Sequence, residues 1–319
     1  MRIGVLTSGG DAPGMNAAIR AVVRTAIYYG ASVVGIRKGY QGLIEGLVIP
    51  MDASSVGGII NRGGTILETA RAEDFKRKEM QKKAVENIKK HDIDALIVIG
   101  GNGTLKGAIS LYKEWGIPLN QVASTIDNDL PGTDVTIGFD TAVNTALEII
   151  DRIRDTAVSF ERIFVVEVMG RDRGFIALEV GIAGGAEFII IPEVPFEFGK
   201  LIKKIEDGKR RGKRSCVIVL AEGAGKAEEL AKRIKEETGL ETRGSVVGYA
   251  QRGGCPTAKD RILATILGAK AVQLCMEEKF GYLVGIKSGE VSATHFSQLE
   301  GMEKKIDLTL LEIAGILSI

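Results

Sequence analysis

The sequence predicts an α/β fold built on mainly parallel sheets flanked by helices. Three observations predict it. Short apolar, β-branched runs alternate along the chain with longer segments of helical period, the alternation expected of doubly wound sheets. The runs are continuously apolar, as strands buried on both faces require. The chain also carries 41 glycines, clustered at the ends of those runs, where tight turns let a backbone approach a ligand.

Residues 2–7 (RIGVLT) read as the first strand and 15–29 as the helix that follows. Strands are expected at 33–37 and 94–99, with a helix at 103–115 and a further apolar-rich stretch at 117–124. The clearest helix is 139–158: Phe139, Val143, Ala146, Ile150, Ile153 and Ala157 recur at i+3/i+4 and form one apolar stripe. Strands are expected again at 162–168, 187–191, 215–221 and 243–247. No low-complexity linker marks a domain boundary, and no short repeat recurs.

The bulk numbers exclude several classes. At 319 residues the chain suits one large domain or two of ordinary size. Apolar residues at 45% and charged residues at 26% are those of a soluble globular protein. A net charge of +1 gives no reason to expect nucleic acid or a membrane as partner, so any basic site must be local. Three cysteines, none in a CxxC pair, argue against a disulfide framework and suit a reducing cytoplasm. The N-terminal segment lacks the long apolar core of a signal peptide, and no apolar run is long enough to span a bilayer.

Three glycine-rich turns follow expected strands: Thr7 to Asn16, Gly100 to Thr104, and Gly170 to Gly174. A strand end passing through glycines into a helix N-terminus presents free N–H groups and a positive dipole end, which is a phosphate-binding geometry. One such turn alone is usually no more than a tight βα connection; three in one chain favour function. Neither a GxxxxGK[ST] loop nor a protein-kinase signature is present. Thr125-Ile126-Asp127-Asn128-Asp129 forms a compact acidic cluster. One of its carboxylates can accept a proton from an alcohol while another lies near Mg²⁺. An Asx-rich turn is the plainer alternative.

Arg71, Arg162, Arg171, Arg243 and Arg252 each sit by an expected strand end or glycine turn. Arginine suits bidentate phosphate recognition, although a surface arginine is more commonly just solvated. Arg252, flanked by Gly253 and Gly254, has the strongest positional argument.

Taken together, TSGGDAPGMNAAIRA, INRGGTIL-TAR, TIDND, IGFDTA, EVMGR, IAGGAE, AEG, ETR and QRGG-PTA-DR resemble the bacterial ATP-dependent 6-phosphofructokinases in order and spacing. The resemblance runs from residue 1 to about residue 290 and weakens at the C-terminal tail. It implies two Rossmann-like lobes: an ATP-binding lobe of 1–138 plus about 251–304, and a sugar-phosphate lobe of 139–250 plus about 305–319. It also implies a cytoplasmic homotetramer that uses ATP and Mg²⁺ to phosphorylate fructose 6-phosphate.

The resemblance further implies site residues. Gly10, Tyr40, Arg71, Ala72 and the turn Gly101, Asn102, Gly103 and Thr104 are expected to bind ATP. Asp127 resembles the general base, with Thr125 and Asp129 around the transferred phosphoryl and its metal and with Arg71 and Arg171 stabilising its charge. Met169, Gly170, Arg171 and Glu222 match sugar-holding residues. Arg162, Arg243 and Arg252 match the grip on the 6-phosphate, with Tyr249 beside it; Arg162 and Arg243 are expected from a neighbouring subunit. Arg20, Arg24, Arg154, Gly185, Glu187, Arg211 and Lys213 match an effector site for ADP or phosphoenolpyruvate. Arg20 and Arg24, one helical turn apart, read otherwise as a solvated basic face.

Four positions depart from the family. Asn102 replaces an aspartate near the metal, and an amide oxygen is the weaker, uncharged ligand. Tyr249 replaces a histidine and cannot carry positive charge. Ala53 and Gly58 replace an arginine and an aspartate of the effector site, so regulation is expected to be weak. Two other readings stand beside the ATP-dependent kinase. A pyrophosphate-dependent relative typically carries Asp in place of Gly103 and Lys in place of Ser124. A non-catalytic sugar-phosphate or nucleotide sensor rests on Asn102 alone.

Overall fold

A computed structural model describes residues 1–318 of the chain. In chain order the elements begin β1 (Arg2–Thr7), α1 (Met15–Tyr28), β2 (Ser32–Ile36), α2 (Gly39–Glu45), β3 (Val48–Met51), α3 (Lys78–Lys90), β4 (Ala95–Gly100) and α4 (Asn102–Trp115). They continue β5 (Leu119–Ala123), α5 (Phe139–Phe160), β6 (Ile163–Val168), α6 (Phe175–Ala183), β7 (Phe188–Ile190), α7 (Phe198–Arg210), β8 (Cys216–Ala221) and α8 (Ala227–Thr238). The last are β9 (Thr242–Val246), α9 (Ala258–Met276), β10 (Tyr282–Lys287), β11 (Glu290–His295) and α10 (Leu308–Leu317).

The chain divides into two compact units, Met1–Thr141 with Arg252–Lys304 and Ala142–Gln251 with Lys305–Ile319. The boundary falls in the first turn of α5. That helix buries its expected stripe except Ile153, which is half-buried.

The first unit holds a seven-stranded sheet ordered β11-β10-β5-β4-β1-β2-β3. All its pairs are parallel except β2–β3 and β10–β11, at the two edges. Successive side chains of a strand face opposite ways. Leu6, Val34, Ile36, Leu96 and Val98 pack with Leu43, Val85, Ile88, Leu105 and Leu111 of α2, α3 and α4. The alternate residues Ile3, Val5, Ile97 and Ile99 are fully buried on the face that α1 and α9 cover. Truncating a residue such as Leu96 to alanine removes roughly 2–5 kcal/mol of stability.

The second unit holds a four-stranded, all-parallel sheet ordered β7-β8-β6-β9. Ile163, Val165, Ile218 and Leu220 pack with Leu201, Ile202 and Ile205 of α7 and Leu230 and Ile234 of α8. Glu167, next to the last residue of β6, is 5% exposed. Its Oε2 accepts the Ala227 N–H at 2.9 Å and its Oε1 pairs with Lys226 at 3.1 Å. The buried carboxylate thus caps α8, where the helix dipole favours negative charge.

Candidate active site

In the first unit, β1 pairs with β2 on one side and β4 on the other. β1 connects onward to β2 on one side and β4 onward to β5 on the other, so the strand order reverses between β1 and β4, and beyond the carboxyl ends of such a pair open α/β sheets bind ligands. Both glycine turns of this unit lie there. The Ser8 N–H donates to Ile99 O at 3.0 Å, and the Thr104 hydroxyl donates to Ser8 O at 2.9 Å, which ties the turn after β1 to the first turn of α4. Gly9 has φ +86°, and Thr69 donates its hydroxyl to Gly9 O at 2.7 Å.

Gly10 lets the tip of a long side chain lie close against the backbone. A Cβ there would collide with the Arg252 guanidinium, which also donates to Asp11 O at 3.2 Å. Arg252 therefore lies over the β1 turn. Gly103 is the opposite case, because nothing approaches within 4 Å of where its Cβ would be. Exposed, in the first turn of α4, it leaves open room beside the helix N-terminus.

Tyr40 backs this turn. It is 4% exposed, stacks on Phe75 with centroids 4.3 Å apart, and donates its hydroxyl to Thr104 O at 2.7 Å. Burial pushes its phenol pKa well up. Arg71 is exposed and Ala72 half-buried at the end of the 61–72 loop. Asn16 holds that loop, donating to Arg62 O and Gly63 O, each at 3.1 Å, and accepting the Ile66 N–H at 2.7 Å.

Strand β5 runs parallel to β4 with Ala123 beside Gly100, so the acidic cluster after β5 emerges next to the glycine turn. Thr125 lies against Gly101, its Cβ 3.1 Å from where a Gly101 Cβ would stand. The Asp127 N–H donates to the Thr125 hydroxyl oxygen at 3.2 Å, and Asp127 is 3% exposed. Asn128, at φ +51°, places Asp127 and Asp129 on either side of a left-handed residue. Asp129 is half-buried, and the Asn102 side-chain amide donates to its main-chain oxygen at 3.3 Å. No group of three or more metal-binding side chains occurs among the described residues.

In the second unit, β6 and β8 pair with Val168 beside Ala221, so Met169, Gly170 and Arg171 emerge next to Glu222. Gly170 has φ +140° and Arg171 φ +53°. Glu222 Oε1 accepts both their main-chain N–H groups, at 3.1 and 2.7 Å. Gln251, fully buried, accepts the Met169 N–H at 2.8 Å. Tyr249 is exposed beyond β9. Arg162 and Arg243 stand at the other end of the same strands. Arg162 lies over the Phe160 ring at 4.4 Å, and Arg243 pairs with Glu241 at 2.7 Å. Lys235 hydrogen-bonds the Glu241 carboxyl and Arg243 and Arg162 flank it, which together hold its pKa below the usual range.

The expected effector residues separate into two groups. Arg20, half-buried, and Arg24, exposed, project from α1 in the first unit. Ala53 sits in a turn closed on itself by Asp52, whose Oδ1 accepts from Ser54 and Ser55; these bonds lower the Asp52 pKa to about 2. In the second unit Arg154 donates to the Gly184 and Gly185 carbonyls. Glu187 Oε1 faces Lys213 at 3.0 Å and Arg154 at 3.7 Å. Arg211, Lys213 and Glu187 line a cavity of about 410 Å³ with Lys204 and Cys216. Partial burial lowers the Lys204 pKa, and burial pushes the Cys216 thiol up to about 12.

The phosphofructokinase family model matches residues 2–275. The chain belongs to the phosphofructokinase family. It is 53% identical over 318 residues to an ATP-dependent 6-phosphofructokinase of Thermoanaerobacter sp. strain X514, covering 99% of each chain. It is 54% identical over 320 aligned residues to that of Bacillus pumilus, covering 100% of this chain and 99% of the relative. Among solved structures, Pichia pastoris phosphofructokinase in the T-state superposes with a TM-score of 0.90 at 37% identity; the match covers 93% of this chain but 35% of that one. A pyrophosphate-dependent phosphofructokinase from Marinobacter aquaeolei superposes with a TM-score of 0.85 at 26% identity, covering 97% of this chain and 86% of that one.

Sequence reasoning missed the residues that hold these phosphofructokinase turns in place. Thr136 donates to Thr125 O at 2.6 Å. Asp260, fully buried, accepts from the Gly138 and Thr141 N–H groups, each at 2.8 Å, and from the Thr141 hydroxyl at 2.5 Å. It thereby caps the start of α5, and burial raises its pKa. The one signal in the sequence was the capping spacing Thr257 to Asp260 at the start of α9.

Proposed function

We infer that the chain is an ATP-dependent 6-phosphofructokinase, transferring the γ-phosphoryl of ATP to the 1-hydroxyl of fructose 6-phosphate. The observation that carries this reading is Gly103. It leaves the space beside the α4 N-terminus open, where an aspartate would fill the adenine nucleotide's room. Ser124, in place of a lysine, is fully buried directly after β5.

Each turn has a part in this account. The amides of Gly101 to Thr104 and the α4 dipole receive ATP phosphates, with Gly10 allowing close approach and Arg71 supplying charge. Asp127 takes the proton of the sugar's 1-hydroxyl as its oxygen bonds to Pγ and the bond from Pγ to the β-phosphate oxygen breaks, leaving ADP. Arg71 and Arg171 stabilise charge on the moving phosphoryl. Asp129 and Asn102 fit a Mg²⁺ ion. One carboxylate and one amide oxygen suit a cation held mostly by substrate phosphates, and the Asn102 NH₂ is turned to Asp129 O. Bound there, Mg²⁺ would neutralise β- and γ-phosphate charge.

Gly170, Arg171 and Glu222 hold the sugar. Arg162 precedes the six-residue strand β6 and Gly170 follows it, so at about 3.3 Å per residue the strand alone sets them roughly 20 Å apart. An arginine cannot span that distance to a sugar held by its own chain. This supports Arg162 and Arg243 gripping the 6-phosphate in a neighbouring subunit of a homotetramer. Arg154, Gly185, Glu187, Arg211 and Lys213 form the second-unit part of an ADP or phosphoenolpyruvate site. The cytoplasm, where ATP is plentiful, is the proposed compartment.

The test is formation of fructose 1,6-bisphosphate from fructose 6-phosphate and MgATP. General-base assistance supplies about 10² to 10⁴ in rate. Asp127→Ser should therefore lower kcat at least ~10²-fold and change KM far less; near-normal turnover would remove Asp127 from the role.

A further inference from the structure

The turn that carries Asp127 and Asp129 is braced from outside the family's motifs. The Lys304 ammonium donates to Asn128 Oδ1 at 2.8 Å and to Asp134 O at 2.7 Å. It therefore spans the loop between β5 and α5 at two points, six residues apart. Asn128 is the residue between the two carboxylates, 5% exposed and at φ +51°. Asparagine tolerates the left-handed region better than most residues, but a buried one keeps a single side-chain direction there only where its surroundings hold it.

The surroundings supply that hold. Thr136 reaches Asn128 Oδ1 at 3.4 Å and Thr125 O at 2.6 Å. The far end of the loop is tied to the β10–β11 hairpin. Asp134 donates its N–H to Ile286 O at 2.7 Å, and Asp134 Oδ2 accepts the Ser288 N–H at 2.6 Å. Lys304 links this anchored end to Asn128.

We propose that Lys304 is a positioning residue for phosphoryl transfer, holding Asn128 so that Asp127 and Asp129 face the reacting atoms. The proposal rests on the reading of Asp127 as the base. A charge-assisted bond to a buried amide oxygen is the stronger kind, and misplacing a catalytic group by about 1 Å can cost on the order of 10² in rate.

The experiment compares wild type, Lys304→Met, Lys304→Arg, Asn128→Ala and the Lys304→Met/Asn128→Ala double variant. Measured are kcat, KM for ATP and for fructose 6-phosphate, and Tm. Lys304→Met should lower kcat about 10- to 100-fold with each KM within about threefold of wild type. Lys304→Arg should restore most of the loss. The double variant should be no slower than the slower single variant, because both remove one contact. Normal kcat in Lys304→Met, or losses that multiply in the double variant, would overturn the proposal. So would a kcat loss explained by partial unfolding at the assay temperature and shared by Lys304→Arg. An inactive wild type would instead fail the kinase reading itself.

Discussion

Glu222 holds Arg171 in the left-handed region: its Oε1 accepts the Arg171 main-chain N–H at 2.7 Å, where φ is +53°. The same oxygen takes the Gly170 N–H at 3.1 Å. A carboxylate expected to touch the sugar thus also shapes the turn that presents Arg171. Glu222→Ala leaves both amides without that acceptor and should raise KM for fructose 6-phosphate about 10- to 100-fold. Glu222→Gln keeps an acceptor oxygen and should cost less than tenfold. Equal KM values in wild type and Glu222→Ala would show that the turn holds itself.

Arg243 and Arg162 stand at the opposite strand ends from Gly170, which makes a shared site testable by mixing. Losing one charge-assisted contact to phosphate should cost roughly 2–3 kcal/mol, so Arg243→Ser alone should bind fructose 6-phosphate poorly. Co-assembled with Asp127→Ser chains, it should regain activity, since some sites then combine both wild-type residues. Hybrids that form and stay inactive would place the whole site within one chain.

Asn102 donates to the Asp129 main-chain oxygen, beside the expected metal. Replacing the amide with a carboxylate supplies a charged hard-oxygen ligand. Asn102→Asp should lower the Mg²⁺ concentration for half-maximal rate while leaving kcat within about tenfold. An unchanged Mg²⁺ dependence would put residue 102 beyond the metal's reach.

The strands that read clearly in the sequence are those buried on both faces. RIGVLT, ALIVIG and CVIVLA carry continuous apolar runs because helices cover both sides of β1, β4 and β8. The antiparallel edges were not legible. β3 includes Pro50 and is partly exposed, and β11, EVSATH, carries only Val291 and Ala293 as apolar residues and buries none of its positions fully. They exist because β2 and β10 offer an unpaired edge, which is a tertiary fact. β7 is three residues long where the apolar run suggested five. The glycine turns and the TIDND cluster were visible because their residue types are unusual together. Thr136 and Lys304 were not, and Gln251 and Asp260 stood in the QRGG-PTA-DR run without a role, because what each does is a hydrogen bond that only the folded chain forms. Lys304 reaches Asn128 over 176 positions.

The open space beside Gly103 is tested most directly by the choice of phosphoryl donor. Wild-type enzyme with fructose 6-phosphate is assayed for fructose 1,6-bisphosphate using MgATP and, separately, Mg-pyrophosphate at equal concentration. The structure predicts turnover with ATP and at least ~10²-fold less kcat/KM with pyrophosphate, a difference of about 2.7 kcal/mol in transition-state binding. Equal or faster turnover with pyrophosphate, or none with either donor, would contradict it.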